Sequence, residues 1–261
     1  LSANTNHSLL SPNVAFTKRY GMTKWEEVGT WALQTDTLDA IMSEPDMKNL
    51  AWGEFMKIDT QGTEYEILQG AKNVLNAQTV AVIAEVAFCE LYKDQKLFAD
   101  VSALMREHGF SFYGFTTLHT RSKKLLNKKS HATRERLIYT DAIFFKDPLP
   151  GGYTTESSER GNYVLFTVAM LLGFYDYALE LAQATWLKTS DQAEVDRITA
   201  LVNQCASNSV DKTSGDLLKL VEVVNQNPDW ANVAVGGFVD KRRFYCDYDD
   251  VLNVSPLPKT L

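Results

Sequence analysis

The chain has 261 residues, 45% of them hydrophobic and 11% aromatic, which suits one large or two small domains with a substantial core. Its net charge of −7 is uneven: residues 149–261 hold 9 Lys and Arg against 15 Asp and Glu, which speaks against nucleic acid as a general partner. The longest apolar run, from Val164 to Leu172, is far too short for a membrane span, and the three cysteines form no CxxC pair, so structural disulfides and zinc knuckles are not expected. No signal peptide or basic leader opens the chain, which makes the cytoplasm the default compartment. Its first residue is Leu and not Met, which reads as a fragment or a processed piece.

In chain order, Ser11-Pro12 suits a helix start, and residues 13–20 read as a short helix. Residues 29–34 read as a strand, and Asp36 or Thr37 as the cap of a helix over residues 38–42. Residues 55–58 are a mostly apolar run of the kind that forms a buried parallel strand. Asp59-Thr60-Gln61-Gly62-Thr63 is a turn, with glycine supplying backbone freedom. From Glu64 onward, Tyr65, Leu68, Ala71 and Leu75 mark one face of an amphipathic helix. A second apolar strand follows over residues 80–86, with one acid, Glu85, near its carboxyl end. Residues 96–108 then read as a helix stopped by Gly109. Two strand–helix units in a row predict a parallel sheet with helical crossovers.

Residues 110–115 and 137–145 read as two more strands. Between them lie Arg121, Lys123, Lys124, Lys128, Lys129, Arg134 and Arg136 against the single acid Glu135, either a solvated loop or a lid that attracts an anionic substrate. Asp147-Pro-Leu-Pro-Gly-Gly152 marks a domain boundary by composition. Beyond it, helices are expected over residues 163–172, 175–187, 191–203 and 215–225.

The residues with chemistry gather at the carboxyl ends of the first two strong strands, the edge at which open α/β sheets bind ligands. Asp59 ends one strand, and two roles stay open for it. It can cap the helix that begins near Glu64, or it can serve as a functional carboxylate, since such a group is costly to desolvate unless it binds something. A functional Asp59 could accept a proton or ligate a divalent cation. Glu85 sits inside an apolar strand, paired with Lys57 or facing a substrate. Lys57 shares a strand face with Asp59 and can pair with either acid. Thr60 and Gln61 line the turn. His119 follows the next-to-last strand and is a candidate base, while His7, His108 and His131 follow no metal spacing. Cys89 reads as a small buried hydrophobe. HExxH, GxSxG and P-loop patterns are absent, which disfavours hydrolases and NTPases.

Lys57-Ile-Asp59-Thr-Gln-Gly62-Thr-Glu64, then Leu68-Gln-Gly70-Ala71, Glu85-Val86, Leu91-Tyr92, Leu97-Phe98 and Gly109-Phe110 together resemble the carboxyl-terminal half of the FkbM-type methyltransferases. The resemblance covers about residues 8–147. It implies an α/β fold, a Rossmann-like methyltransferase sheet present in part, with its amino-terminal strands missing. The strands over residues 110–115 and 137–145 would be its antiparallel closing pair. A mainly helical extension would follow, giving a methyltransferase part over residues 1–148 and an extension over 149–261. The implied activity is methylation of a hydroxyl of a small molecule or sugar by S-adenosylmethionine (SAM). Asp59, Glu85 and His119 would be catalytic, with Asp59, Thr60 and Gln61 near the cofactor. The glycine-rich strand–turn–helix that binds SAM is expected before Leu1, so the isolated chain is expected to be inactive. Residues 172–179 are similar to the inner turn of a tetratricopeptide-type helical pair, and the extension could bind a protein partner. Two other readings stay open: a non-catalytic methyltransferase-like scaffold, and a different α/β enzyme that uses the two acids with a metal.

Overall fold

The computed structural model describes residues 7–47, 53–131, 133–154 and 157–242. Asn13 caps helix α1 (Val14–Tyr20), its side chain accepting from the Phe16 N–H, and Thr37 caps α2 (Leu38–Met42) by accepting from the Ala40 N–H. The strand expected over residues 29–34 does not form. That stretch has no regular structure, and Val28, Trp31 and Leu33 in and beside it are exposed, so no buried surface holds it extended.

Strand β1 (Phe55–Ile58) leads through a turn into α3 (Glu64–Gln69) and α4 (Lys72–Ala77), then into β2 (Ala81–Ala87). The one helix expected from Glu64 onward is thus two, parted at Gly70-Ala71, and the Asp39 carboxyl caps the second by accepting from the Asn73 and Val74 N–H groups at 2.9–3.1 Å. Leu68, Ala71 and Leu75 are fully buried, as the spacing predicts. After β2 come α5 (Phe98–Glu107), β3 (Ser111–Phe115), β4 (His119–Arg121) and β5 (Arg136–Phe145).

The five strands form one sheet in the order β1-β2-β5-β3, with β4 also paired to β5. β1 and β2 are parallel, but β5 runs antiparallel to β2, β3 and β4, so among the described strands the sheet is mostly antiparallel. This mixed α/β arrangement is compatible with a Rossmann-like fold. One sheet face packs Ile58, Val82, Ala84, Ala142 and Phe144 against α3 and α5 through Leu68, Val101, Leu104 and Met105. The other carries Ala81, Ile83, Ile143 and Phe145.

That second face is covered by α6 (Glu159–Leu172) and α7 (Tyr175–Ala184), which supply Leu165, Phe166, Val168, Ala169, Ala178, Leu181 and Ala182 to a shared core. The buried Asp147 ties them down, accepting from the Tyr113 hydroxyl of β3 at 2.7 Å and the Tyr177 hydroxyl of α7 at 3.1 Å. The compositional break at residues 147–152 is therefore a connection within one packed body. The compact units divide elsewhere: Leu1–Lys123 with Glu135–Val202, and Lys124–Arg134 with Asn203–Leu261.

The two helices expected over 191–203 and 215–225 are one, α8 (Gln192–Gln226), of 35 residues. The Ser, Asn, Thr and Gly residues between them each cost a helix about 1 kcal/mol or less, and a helix already nucleated on either side propagates through. In the second unit α9 (Ala231–Arg242) follows a single 3-10 turn, where Lys129 lies 4.9 Å from the Trp230 ring and 3.8 Å from the Asp229 carboxyl. Among the described residues no helix is long and apolar enough to cross a membrane.

Candidate active site

The sheet register builds a row of acids. Ile58 pairs with Ala84, so the next step brings Asp59 beside Glu85, and Glu85 pairs directly with Asp141 on β5. Side chains alternate along a strand, so Glu85 and Asp141 share the face of Ile83 and Ile143. That face is apolar under α6 and α7 and turns acidic one step beyond them. Tyr139 lies two residues away along β5 and pairs with His119 of β4, their rings stacked 4.3 Å apart at 7°. Asp59, Glu85, His119, Tyr139, Thr140 and Asp141 together line a cavity of about 230 Å³.

Lys57 is the cation of this row. Its Nζ lies 2.9 Å from Asp141 Oδ1 and 3.7 Å from Asp59 Oδ2, so it joins those two acids and not Glu85. Glu85 is left between negative charges. Burial first, then the charges of Asp59 and Glu64, push its carboxyl up to about 8, with Asp141 adding to the rise. Glu85 is thus mainly protonated at neutral pH and can donate a hydrogen bond, whereas the row's other acids act as acceptors. Burial and the Arg121 charge lower the pKa of His119 against the opposing pull of Asp141, which favours the neutral, proton-accepting imidazole. Burial raises the Tyr139 phenol.

The turn after β1 is held from within. Glu64 is buried, and its carboxyl oxygens accept from the Thr60 N–H at 2.8 Å, the Gly62 N–H at 3.0 Å and the Thr60 hydroxyl at 3.3 Å. Thr60 is turned to Glu64 and does not line the cavity. Thr63 occupies the N-cap position of α3 without a side-chain cap bond, and the Asp59 carboxyl accepts from Gln61 and pairs with Lys57. Gly62 has φ +110°, and a Cβ there would stand 2.7 Å from the Tyr92 ring, so only glycine fits.

The structure thus brings Asp59, Glu85 and His119 into one cavity, with Gln61 in contact with the two acids. Sequence reasoning missed Asp141, Tyr139 and Thr140. Asp141 carried a readable signal, a lone acid in an apolar strand, the same signal that drew attention to Glu85. Cys89 is buried and neither it nor Cys205 is in a disulfide, whereas Cys246 lies outside the described residues. Among the described residues no group of three or more His, Cys, Asp or Glu side chains is arranged to hold a metal ion, so the divalent cation that Asp59 could have ligated finds no support there. A larger cavity of about 530 Å³ lies beside α1, lined by Pro12, Val14, Lys18, Met22 and Trp25, among others. Its acids, Glu26 and Glu27, are chain neighbours, whereas the smaller cavity draws Asp59, Glu85 and Asp141 together from three adjacent strands and is the candidate site.

Residues 5–112 match the methyltransferase FkbM domain. The match supports the FkbM-type methyltransferase family for this part of the chain. The matched stretch holds Asp59 and Glu85, while His119, Tyr139 and Asp141 lie beyond it. No curated protein and no solved structure matches the chain.

Proposed function

We propose that the FkbM domain transfers a methyl group from SAM to a hydroxyl of a small-molecule or sugar acceptor at the cavity beside Asp59. The observation that carries this reading is the row Asp59–Glu85–Asp141 at the strand edge, in which burial and the neighbouring charges hold the proton on Glu85. A hydroxyl is a weak nucleophile until its proton is removed or weakened, and a carboxylate at hydrogen-bond reach does this. Asp59 has that role. It is open to solvent and accepts from Gln61 through one oxygen, which leaves acceptor capacity for the substrate. Glu85, carrying its proton, donates to an acceptor oxygen and fixes its orientation, while the neutral His119 is the second proton acceptor at the cavity mouth.

SAM supplies an already activated methyl group on a sulfonium cation. Negative charge and two aromatic rings around the cavity fit that cationic end. Its nucleotide end finds less. Neither described strand–turn–helix unit has a glycine-rich turn, and the turn after β1 spends the Thr60 and Gly62 N–H groups on Glu64. The residues here therefore position the acceptor and move its proton. Residues 149–261 extend this domain, with α6 and α7 backing the sheet face on which the acid row stands.

The test is methyl incorporation from labelled SAM by the full-length protein over a panel of hydroxyl-bearing acceptors. Transfer to at least one hydroxyl acceptor is expected. Transfer only to amines or thiols would contradict the reading.

A further inference from the structure

Gln61 stands beside the cavity, bonded to two of the acids that line it. Its backbone sits at φ +59°, a left-handed conformation uncommon outside glycine and costing on the order of 1 kcal/mol or more. The strain is held from several sides. Glu64 takes the N–H groups of both neighbours, Thr60 and Gly62, and the Ser8 hydroxyl donates to the Gln61 carbonyl at 2.6 Å. The result is a side chain aimed back across the acid row. Gln61 Nε2 donates to Asp59 Oδ1 at 2.8 Å and to Glu85 Oε2 at 3.2 Å. Its Oε1 accepts from the Tyr92 hydroxyl at 3.0 Å, which fixes the amide so that its N–H₂ end faces the acids. Tyr92 is fully buried and packs against Trp25 with ring centroids 5.0 Å apart, so this anchor cannot swing away.

We propose that Gln61 is a positioning residue, an amide clamp locked by Tyr92 that sets the geometry of the Asp59–Glu85 pair. The proposal rests on the reading of Asp59 as the proton acceptor, and it adds the group that orients it. Without the clamp, Asp59 is free to turn toward Lys57, 3.7 Å away, and Glu85 loses a donor. The charged and titratable groups facing the pair are Lys57 on β1, Glu64 on α3, Asp141 and Tyr139 on β5, Tyr92, and His119 with Arg121 on β4. Gln61 touches both acids of the pair with one nitrogen.

The experiment follows the side-chain amide of Gln61 by nitrogen-15 NMR on the chain of 261 residues as pH rises. Its two amide protons are expected to be widely separated and to move with the Glu85 midpoint near about 8, and Glu85→Gln is expected to abolish that movement. Tyr92→Phe keeps the ring and removes the anchor, so the separation should shrink by roughly half or more as the amide begins to flip. If Tyr92→Phe does not fold, Gln61→Asn serves instead. Asparagine tolerates the left-handed backbone, but its shorter arm cannot span both acids, so its amide should not titrate with Glu85. An amide with the signals of a free glutamine and no movement across the alkaline range would overturn the proposal. So would signals unchanged in Tyr92→Phe, or an asparagine amide in the Gln61→Asn variant that still follows Glu85. None of these results depends on turnover, so the clamp can fail while Asp59 still accepts the proton, and the reverse.

Discussion

At the scale of single residues, the acids of the site differ by environment and not by type. Glu85 has its ordinary value of 4.5 in an unfolded chain and about 8 when folded, raised by burial and by its acidic neighbours. Between those values the folded state holds a proton that the unfolded state has released. Its contribution to stability is therefore complete below about 4.5 and is lost as pH rises through about 8. Glu85→Gln, neutral at every pH, should flatten that slope and stabilise the protein by on the order of 1–3 kcal/mol at alkaline pH. Urea melts of both proteins from below pH 4.5 to above about pH 8 check it, and parallel curves with the same decline between those values would refute the assignment. Sequence pointed to Glu85 because a lone acid in an apolar strand is costly. It could not give the neighbours that set the charge state, because Asp141 lies 56 positions away and meets Glu85 only through the β2–β5 register. Lys57 was legible as a partner of Asp59. Its closer bond to Asp141 was not, for the same reason.

At the scale of elements, local patterns read well where the chain buries one side. The strand over Phe55–Ile58 and the apolar run that became Ala81–Ala87 were plain from their composition, and so was the helix now seen over Phe98–Glu107. The turn between β1 and α3 was legible as a turn but not as a self-capped loop. In the sequence Glu64 marked the start of the helix, whereas in the structure it accepts the N–H groups of residues 60 and 62. Glu64→Ala should leave those buried or half-buried donors unmet and destabilise the fold by about 2–4 kcal/mol. Chemical denaturation measures this, and a loss within about 0.5 kcal/mol would mean that water replaces Glu64 at little cost. The missed β4 is three residues long, and so short a strand depends on β5 beside it more than on its own sequence.

At the scale of the whole molecule, the helices after residue 152 are where sequence carried least. A change from strand to helix patterning marked a boundary, but it could not say that α6 and α7 return to cover the face bearing Ile83 and Ile143. Helices whose apolar stripe meets a sheet read the same as helices that meet one another. The nucleotide end of SAM has no glycine-rich turn to bind among the described residues, so the isolated chain should bind SAM weakly or not at all. Calorimetric titration giving micromolar affinity would mean that a rebuilt cofactor site exists in these 261 residues. The claim that the acid row performs methyl transfer is tested most directly by Asp59→Asn in the full-length protein, with a hydroxyl acceptor identified by labelled transfer. Asparagine keeps the shape and removes the charge, so the variant should melt within a few degrees of the parent. Its methylation rate should fall about 100- to 10,000-fold, the usual effect of removing a general base. Full activity with an unchanged melt would show that Asp59 takes no proton, and that the chemistry lies elsewhere.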